Sequence, residues 1–220
     1  MGGPGQELVA SEGILPRARR GHGRDNHFSD GSSMALTPST MLPLEHPLPV
    51  FALETLDGEL VSSIGLAPRP LLVLFLCAHC PFVKHIEAEL SRIDHDYSDR
   101  ITILAIASNS LITHPQDGPE QLAEQRRRCG WSFPYLLDPE QSAAKAFKAA
   151  CTPDLFLFDA EQRLVYRGQL DGSRPGNSQP ADGSDLRSAL DSLLAGRPLG
   201  TAQKPAIGCN IKWHPGLEPA

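Results

Sequence analysis

An α/β fold, a central mixed β-sheet flanked by helices with a β-hairpin ahead of it, follows from three features of the chain. Leu71 to Leu76 and Ile101 to Ala107 are apolar runs of the kind a strand buried on both faces requires. Between them Phe82, Val83, Ile86, Leu90, Ile93 and Tyr97 recur at three- to four-residue spacing, which defines an amphipathic helix. Beyond them, Leu155 to Phe158 and Leu164 to Arg167 flank the turn-forming Asp159-Ala-Glu-Gln162, the pattern of an antiparallel pair.

The elements are read in chain order. Of the 20 prolines in 220 residues, thirteen fall outside 70–169, so the folded core is centred on that stretch. Residues 1–42, rich in Gly, Ser and Arg without an apolar period, are read as a disordered extension, 43–215 as the folded domain and 216–220 as a tail. Phe51 to Val61 is a hairpin about Asp57-Gly58. The strand, helix and strand over 71–107 make a right-handed parallel crossover unit. A polar helix runs from Pro119 to Cys129, and Ser132 to Leu137 is a strand. Asp138-Pro139 reads as an N-cap with proline at the first helical position, for a helix to about Ala150. Asp171 to Gly183 is a string of turn formers, expected to be a mobile loop. Ser184 is expected to cap a helix carrying Leu186, Leu190, Leu193 and Leu194, stopped by Gly196 and Pro198. Glu87 and Glu89 are assigned to a solvated helix face.

The formal charge of −6 argues against a phosphate backbone as main partner, because nucleic-acid-binding domains are usually basic. No apolar run approaches a membrane span, and the N-terminus lacks the apolar stretch of a secretory signal. Five cysteines cannot all pair within one chain, and a domain with a sizeable core does not need disulfide staples. Reduced, reactive thiols in a cytoplasmic protein are therefore expected.

The chemistry gathers at Cys77-Ala-His-Cys80. Two cysteines spaced by two residues can close a small disulfide ring, and a strand end before a helix brings their sulfurs to the positive end of the helix dipole. Such surroundings pull a thiol from about 8.5 to roughly 3.5–7.5. A protonated His79 would act in the same direction. Pro81 leaves the attacking sulfur open: with Cys80 as N-cap, Pro81 takes the first helical position and Cys80 gains most from the dipole. A helix starting at Ala78 would instead favour an exposed Cys77. Half of a zinc site is the competing reading, but the second Cys or His pair that a structural site needs is missing.

Leu71-Leu-Val-Leu-Phe-Leu-Cys-Ala-His-Cys-Pro-Phe-Val-Lys-His85, Phe133-Pro-Tyr-Leu-Leu-Asp-Pro139, Cys151-Thr-Pro-Asp-Leu-Phe-Leu-Phe-Asp159 and Gly208-Cys-Asn-Ile-Lys-Trp213 together resemble the thioredoxin-like branch of the AhpC/TSA redoxins. The resemblance runs from about Leu44 to Trp213. It implies a thioredoxin fold in which Thr152-Pro153 is a cis-proline turn facing the cysteine pair, adding Thr152 and Pro153 to Cys77 and Cys80 as catalytic candidates. Cys80-Pro81 also resembles the peroxidatic Cys-Pro of peroxiredoxins, with Cys77 where that family has Thr or Ser. Val73 stands where peroxiredoxins have a proline.

The expected activity is thiol/disulfide oxidoreduction in an antioxidant role, cycling Cys77 and Cys80 between dithiol and disulfide. Substrates would be protein disulfides, protein dithiols or a peroxide, with a thioredoxin- or glutathione-like electron donor. No nucleotide fingerprint occurs, and the chemistry calls for no cofactor and no metal. His79 and Pro81 support the pair, and Cys151 and Cys209 are candidate resolving thiols. Cys129 is assigned to packing, and His85 and Lys84 are weaker candidates near the pair. The alternatives are a thiol peroxidase with Cys80 as the peroxidatic residue, and a copper or zinc carrier using Cys77, Cys80 and His85 or Cys151.

Overall fold

The computed structural model describes residues 1–3 and 36–219. The chain divides into two units, Met1–Ser33 and Met34–Ala220, and every element below belongs to the second. In order these are β1 (Leu36–Pro38), β2 (Ala52–Thr55), β3 (Leu60–Ser62), β4 (Leu71–Phe75), α1 (Pro81–Tyr97), β5 (Thr102–Ala107), α2 (Pro119–Cys129), β6 (Tyr135–Leu137), α3 (Ser142–Phe147), β7 (Cys151–Thr152), β8 (Asp154–Phe158), β9 (Leu164–Gly168), α4 (Ser184–Leu194) and β10 (Ile207–Asn210).

Strand β4 is central, as its unbroken apolar run requires. The larger sheet has the order β3-β2-β6-β5-β4-β8-β9. Strands β4, β5 and β6 run parallel, whereas β8 lies antiparallel to β4, with Val73 opposite Phe156. Alternation along β4 feeds two cores. Leu72, Leu74 and Leu76 pack with Val83, Ile86, Leu90 and Ile93 of α1 and with Leu186 and Leu190 of α4. Leu71, Val73 and Phe75 face the other way, onto Phe147 of α3. Helices thus cover both faces of a mixed sheet, and the predicted hairpin forms as β2 and β3 at one edge.

A second, three-stranded antiparallel sheet, β1-β10-β7, was not foreseen. Its strands are too short and too mixed for a period-2 signal, so only tertiary pairing defines them. It also corrects the expected boundary at residue 43. Leu36–Pro38 pairs with β10, the Ser39 N–H donates to the Ala206 carbonyl at 2.8 Å, and Leu42 is buried. Residues 4–35 of the expected extension lie outside the described residues.

Other differences have local causes. The helix expected from Pro139 starts only at Ser142, after a turn in which Gln141 adopts φ 58°. Asp138 still caps it, its carboxylate receiving the N–H groups of Ala143 and Ala144 at 3.2 and 2.9 Å. Strand β6 begins at Tyr135 because Ser132 is held by Asp94, to which its N–H and hydroxyl donate at 2.6 and 2.8 Å. Helix α4 is capped by Gly183 at φ 66°, which leaves Ser184 as its first residue. The loop expected to be mobile is closed on itself: the Asp171 carboxylate accepts from Ser173 N–H at 2.7 Å and Gly183 N–H at 2.8 Å.

Glu87 and Glu89 are buried, not solvated. Glu87 accepts from both Arg128 amino groups and from Gln125, and Glu89 pairs with Arg92 and Arg187. Buried carboxylates require such partners, and two of the three arginines, Arg128 on α2 and Arg187 on α4, are out of reach of periodicity along α1 alone.

Candidate active site

Strand β4 ends at Phe75 and α1 begins at Pro81, so Leu76 to Cys80 forms the link between a buried strand and a helix N-terminus. Cys80 is the N-cap, with extended backbone (φ −64°, ψ 123°), and Pro81 takes the first helical position, where its missing N–H costs nothing. This decides the register left open above in favour of Cys80. The carboxylate of Asp117 fixes the turn: Oδ1 accepts from the N–H groups of Ala78 at 3.0 Å and His79 at 3.2 Å, and Oδ2 accepts from Asn109 Nδ2 at 2.8 Å. His79 Nδ1 lies 2.6 Å from the same Oδ2, and the imidazole stacks on His114 with ring centroids 5.4 Å apart. Burial pushes the Asp117 carboxyl up, but the hydrogen bonds from His79 and Asn109 outweigh it and hold the group below its ordinary range.

All five cysteines are reduced. Cys77 Sγ lies 3.4 Å from Thr152 Oγ1, and its carbonyl accepts from Gln125 Nε2 at 3.4 Å. Cys80 Sγ lies 3.0 Å from Cys209 Sγ and 3.2 Å from the Thr152 carbonyl oxygen. Thr152-Pro153 is a cis peptide bond. Cys77, Cys80, Thr152, Pro153 and Cys209 therefore converge from the β4–α1 link, the end of β7 with the proline after it, and β10.

The two sulfurs of the pair differ sharply. Hydrogen bonds from the Cys209 and Cys77 thiols hold Cys80 well below the ordinary thiol range, against the opposing effect of burial. The bond to Cys80, then burial, then the Asp117 charge push Cys77 well up. The bond it makes to Cys80, followed by burial, likewise pushes Cys209 up. Once ionised, Cys80 would accept from the neighbouring thiols; as a thiol it donates to Cys209 Sγ at 3.0 Å and to the Thr152 carbonyl at 3.2 Å.

Both sulfurs are shut away from solvent. Cys77 is 1% and Cys80 0% exposed. Cys80 lies beneath Cys209, which β10 delivers, and Cys77 lies against Thr152. The neighbouring surface is an open groove lined by Ala78, His79, Lys84, Gln121, Gln125 and Arg128.

The remaining candidates divide. Cys151 is buried at the start of β7, its Sγ donates to the Pro153 carbonyl at 3.4 Å, and burial followed by the Asp154 charge pushes its thiol well up. Cys129 is half-buried at the end of α2, and burial pushes it up to about 11. His85 hydrogen-bonds Ser173 Oγ at 3.0 Å. Among the described residues the cluster with metal-ligand proximity is Cys77, His79 and Asp117, whose donor atoms lie within 4.8 Å of one another, a set different from the one considered from sequence. Within it His79 Nδ1 and Asp117 Oδ2 lie 2.6 Å apart. Asp117 was not nominated from sequence, although its place after His114-Pro115 in a turn before α2 is the kind from which a carboxylate reaches a neighbouring link. Gln125 was missed as well. It joins the Cys77 carbonyl to Glu87 and receives the Tyr135 hydroxyl at 2.7 Å, forming a polar floor under the pair.

A mixed sheet covered by helices on both faces, with a cis-proline turn beside an N-capping cysteine, defines a thioredoxin-like protein. The family model described as AhpC/TSA family matches residues 44–167, and the chain belongs to that family. Among solved structures, an uncharacterized conserved protein from Geobacillus kaustophilus is similar at 45% identity and TM-score 0.80, over 83% of this chain and 98% of its own. A hypothetical protein from Sinorhizobium meliloti 1021 is similar at 42% identity and TM-score 0.79, over 82% of this chain and 100% of its own. The thioredoxin domain of a thiol-disulfide oxidoreductase from Bacteroides vulgatus shares the fold at 14% identity and TM-score 0.52, over 67% of this chain and 97% of its own. No curated protein matches the chain.

Proposed function

We propose that the protein is a thiol/disulfide oxidoreductase with an antioxidant role, cycling Cys77 and Cys80 between dithiol and disulfide. The observation that carries this reading is the sulfur of Cys80, held at a helix N-terminus 3.0 Å from Cys209 Sγ and three residues from Cys77 on the same link. The Cys80 thiolate attacks one sulfur of a substrate disulfide, a mixed disulfide forms, and one substrate thiolate leaves with a proton from solvent. Cys77 then gives up its proton and attacks Cys80, the Cys77–Cys80 bond forms, and the second substrate thiol is released. The substrate has gained two electrons and two protons, and a donor dithiol or glutathione restores the pair. The resemblance to thiol-disulfide oxidoreductases and the odd cysteine count suit this cycle in the cytoplasm.

Burial of both sulfurs favours a second substrate class, a small peroxide. There the Cys80 thiolate takes one peroxide oxygen as a sulfenate and an alcohol or water leaves; Cys77 then condenses with the sulfenic acid, releasing water. Reduction of insulin disulfides and consumption of hydrogen peroxide by the reduced protein, measured side by side, separate the two. Cys80→Ser is expected to abolish whichever is present, and the double variant Cys77→Ser/Cys209→Ser to leave a trapped adduct on Cys80. Full turnover by Cys80→Ser would overturn the proposal.

A further inference from the structure

The sulfur 3.0 Å from Cys80 Sγ is that of Cys209, outside the proposed dithiol pair and 129 residues further along the chain. Its approach is built into the backbone. Strand β10 lies between β1 and β7, with Cys209 opposite Leu36 on one side and Thr152 on the other. Gly208 permits the close fit, since a Cβ there would run into the Thr152 carbonyl. The following residues are tied down in turn: Ile211 N–H donates to the Ala150 carbonyl at 3.0 Å, and Lys212 N–H to Asn109 Oδ1 at 2.9 Å. A separation of 3.0 Å between the sulfurs needs only about 1 Å of closure to reach a disulfide bond length near 2.05 Å.

We propose that Cys209 is a second resolving residue for Cys80, so that the oxidised protein holds two interchanging disulfides, Cys77–Cys80 and Cys80–Cys209. This rests on the proposed dithiol cycle. The exchange is internal and needs no further oxidant: the Cys209 thiolate attacks Cys80, the Cys80–Cys209 bond forms, the Cys77–Cys80 bond breaks, and the departing Cys77 thiolate takes up the proton that Cys209 lost. No electrons are gained or lost. The attacking sulfur is already in contact with the sulfur it attacks, and Thr152 Oγ1 lies 3.4 Å from the Cys77 sulfur that departs. The product staples β10 to the start of α1 while Cys77 is a thiol again.

The test is mild oxidation of the whole chain with diamide, quenching in acid with N-ethylmaleimide, and mass mapping of linked peptides. Cys77→Ser is expected to give a Cys80–Cys209 link within one chain, and the wild type to give a peptide holding 77–80 joined to one holding Cys209. Oxidised Cys77→Ser with Cys209 still alkylated would overturn the proposal, as would a wild type in which Cys209 is never linked at any time. The wild-type measurement decides the matter if the variant does not fold. Cys209→Ser separates this from the underlying cycle: a Cys77–Cys80 link in that variant sustains the cycle, and its absence sinks the cycle, whatever Cys209 does elsewhere.

Discussion

Asp117 holds His79 by two atoms at once: its Oδ1 accepts the His79 backbone N–H at 3.2 Å and its Oδ2 lies 2.6 Å from the His79 ring Nδ1. Together with the Ala78 N–H this makes a single buried carboxylate the clamp of the cysteine-bearing link. Asp117→Ala leaves those donors without their acceptor, and leaving a buried donor unsatisfied costs about 1–3 kcal/mol. The expected outcome is a lower denaturation midpoint with an unchanged slope. Because the folded carboxyl is held below its ordinary range, the wild-type contribution is present above the unfolded pKa near 4 and is lost as pH falls through the folded value. The variant should lose that acid-limb dependence. An unaltered midpoint would mean that the clamp is not what fixes the link.

Cys80 should titrate as a thiolate well below the ordinary value of about 8.5. Iodoacetamide alkylation of Cys80, followed by mass spectrometry, is expected to hold its rate as pH is lowered from 8.5 to 7, where an ordinary thiol slows. Cys209→Ala removes the first of the two thiol donors and should move the midpoint upward. The sign for stability follows from the depressed folded pKa. The thiolate's contribution is complete above about 8.5 and is lost as pH falls through the folded pKa. A midpoint near 8.5 in the wild type would contradict the geometry.

How much of this was legible in the sequence depends on how local each signal is. The two buried strands and α1 are written in contiguous residues, and the periodicity along 71–107 was sufficient to find them; the helix start stayed open between Ala78 and Cys80-Pro81 until the extended backbone of Cys80 decided it. The sheet β1-β10-β7 is not local, since Leu36 and Cys209 meet only because the fold closes around β4. The same holds for Asp117 and Gln125, whose roles come from reaching the 76–80 link from another part of the chain. Cys209 could be nominated as a cysteine in a matching block, but nothing in its spacing told that it would lie against Cys80 rather than Cys77.

Asp154 is a buried carboxyl directly after Pro153, and burial pushes it up to about 7 despite the hydrogen bonds from Ser39 and from the Ala150 N–H at 3.3 Å. The folded state therefore holds a proton that the unfolded chain releases near 4. Stability from this group falls as pH rises from about 4 to about 7 and is level above that. Asp154→Asn keeps an acceptor for Ala150 and removes the charge, so the slope in that window should flatten. Urea midpoints at pH 5, 6 and 7.5 check this, and an equal slope in the two proteins would show that the carboxyl is ionised throughout.

Gly208 links the fold to the chemistry most directly. Its backbone lies so close to β7 that a methyl group would meet the Thr152 carbonyl oxygen, main-chain atoms that cannot rotate away. Gly208→Ala must therefore push β10 off β7, and Cys209 moves with it. The thiol donor leaves Cys80, so the alkylation midpoint of Cys80 should rise as it does in Cys209→Ala. The Cys80–Cys209 disulfide should also become scarce under diamide while Cys77–Cys80 still forms. A simple loss of stability would move neither the midpoint nor the choice of disulfide in the fraction that remains folded. Both readouts shifting together would place the cause in the register of β10, and a wild-type midpoint in Gly208→Ala would mean that the strand does not govern the cysteine at all.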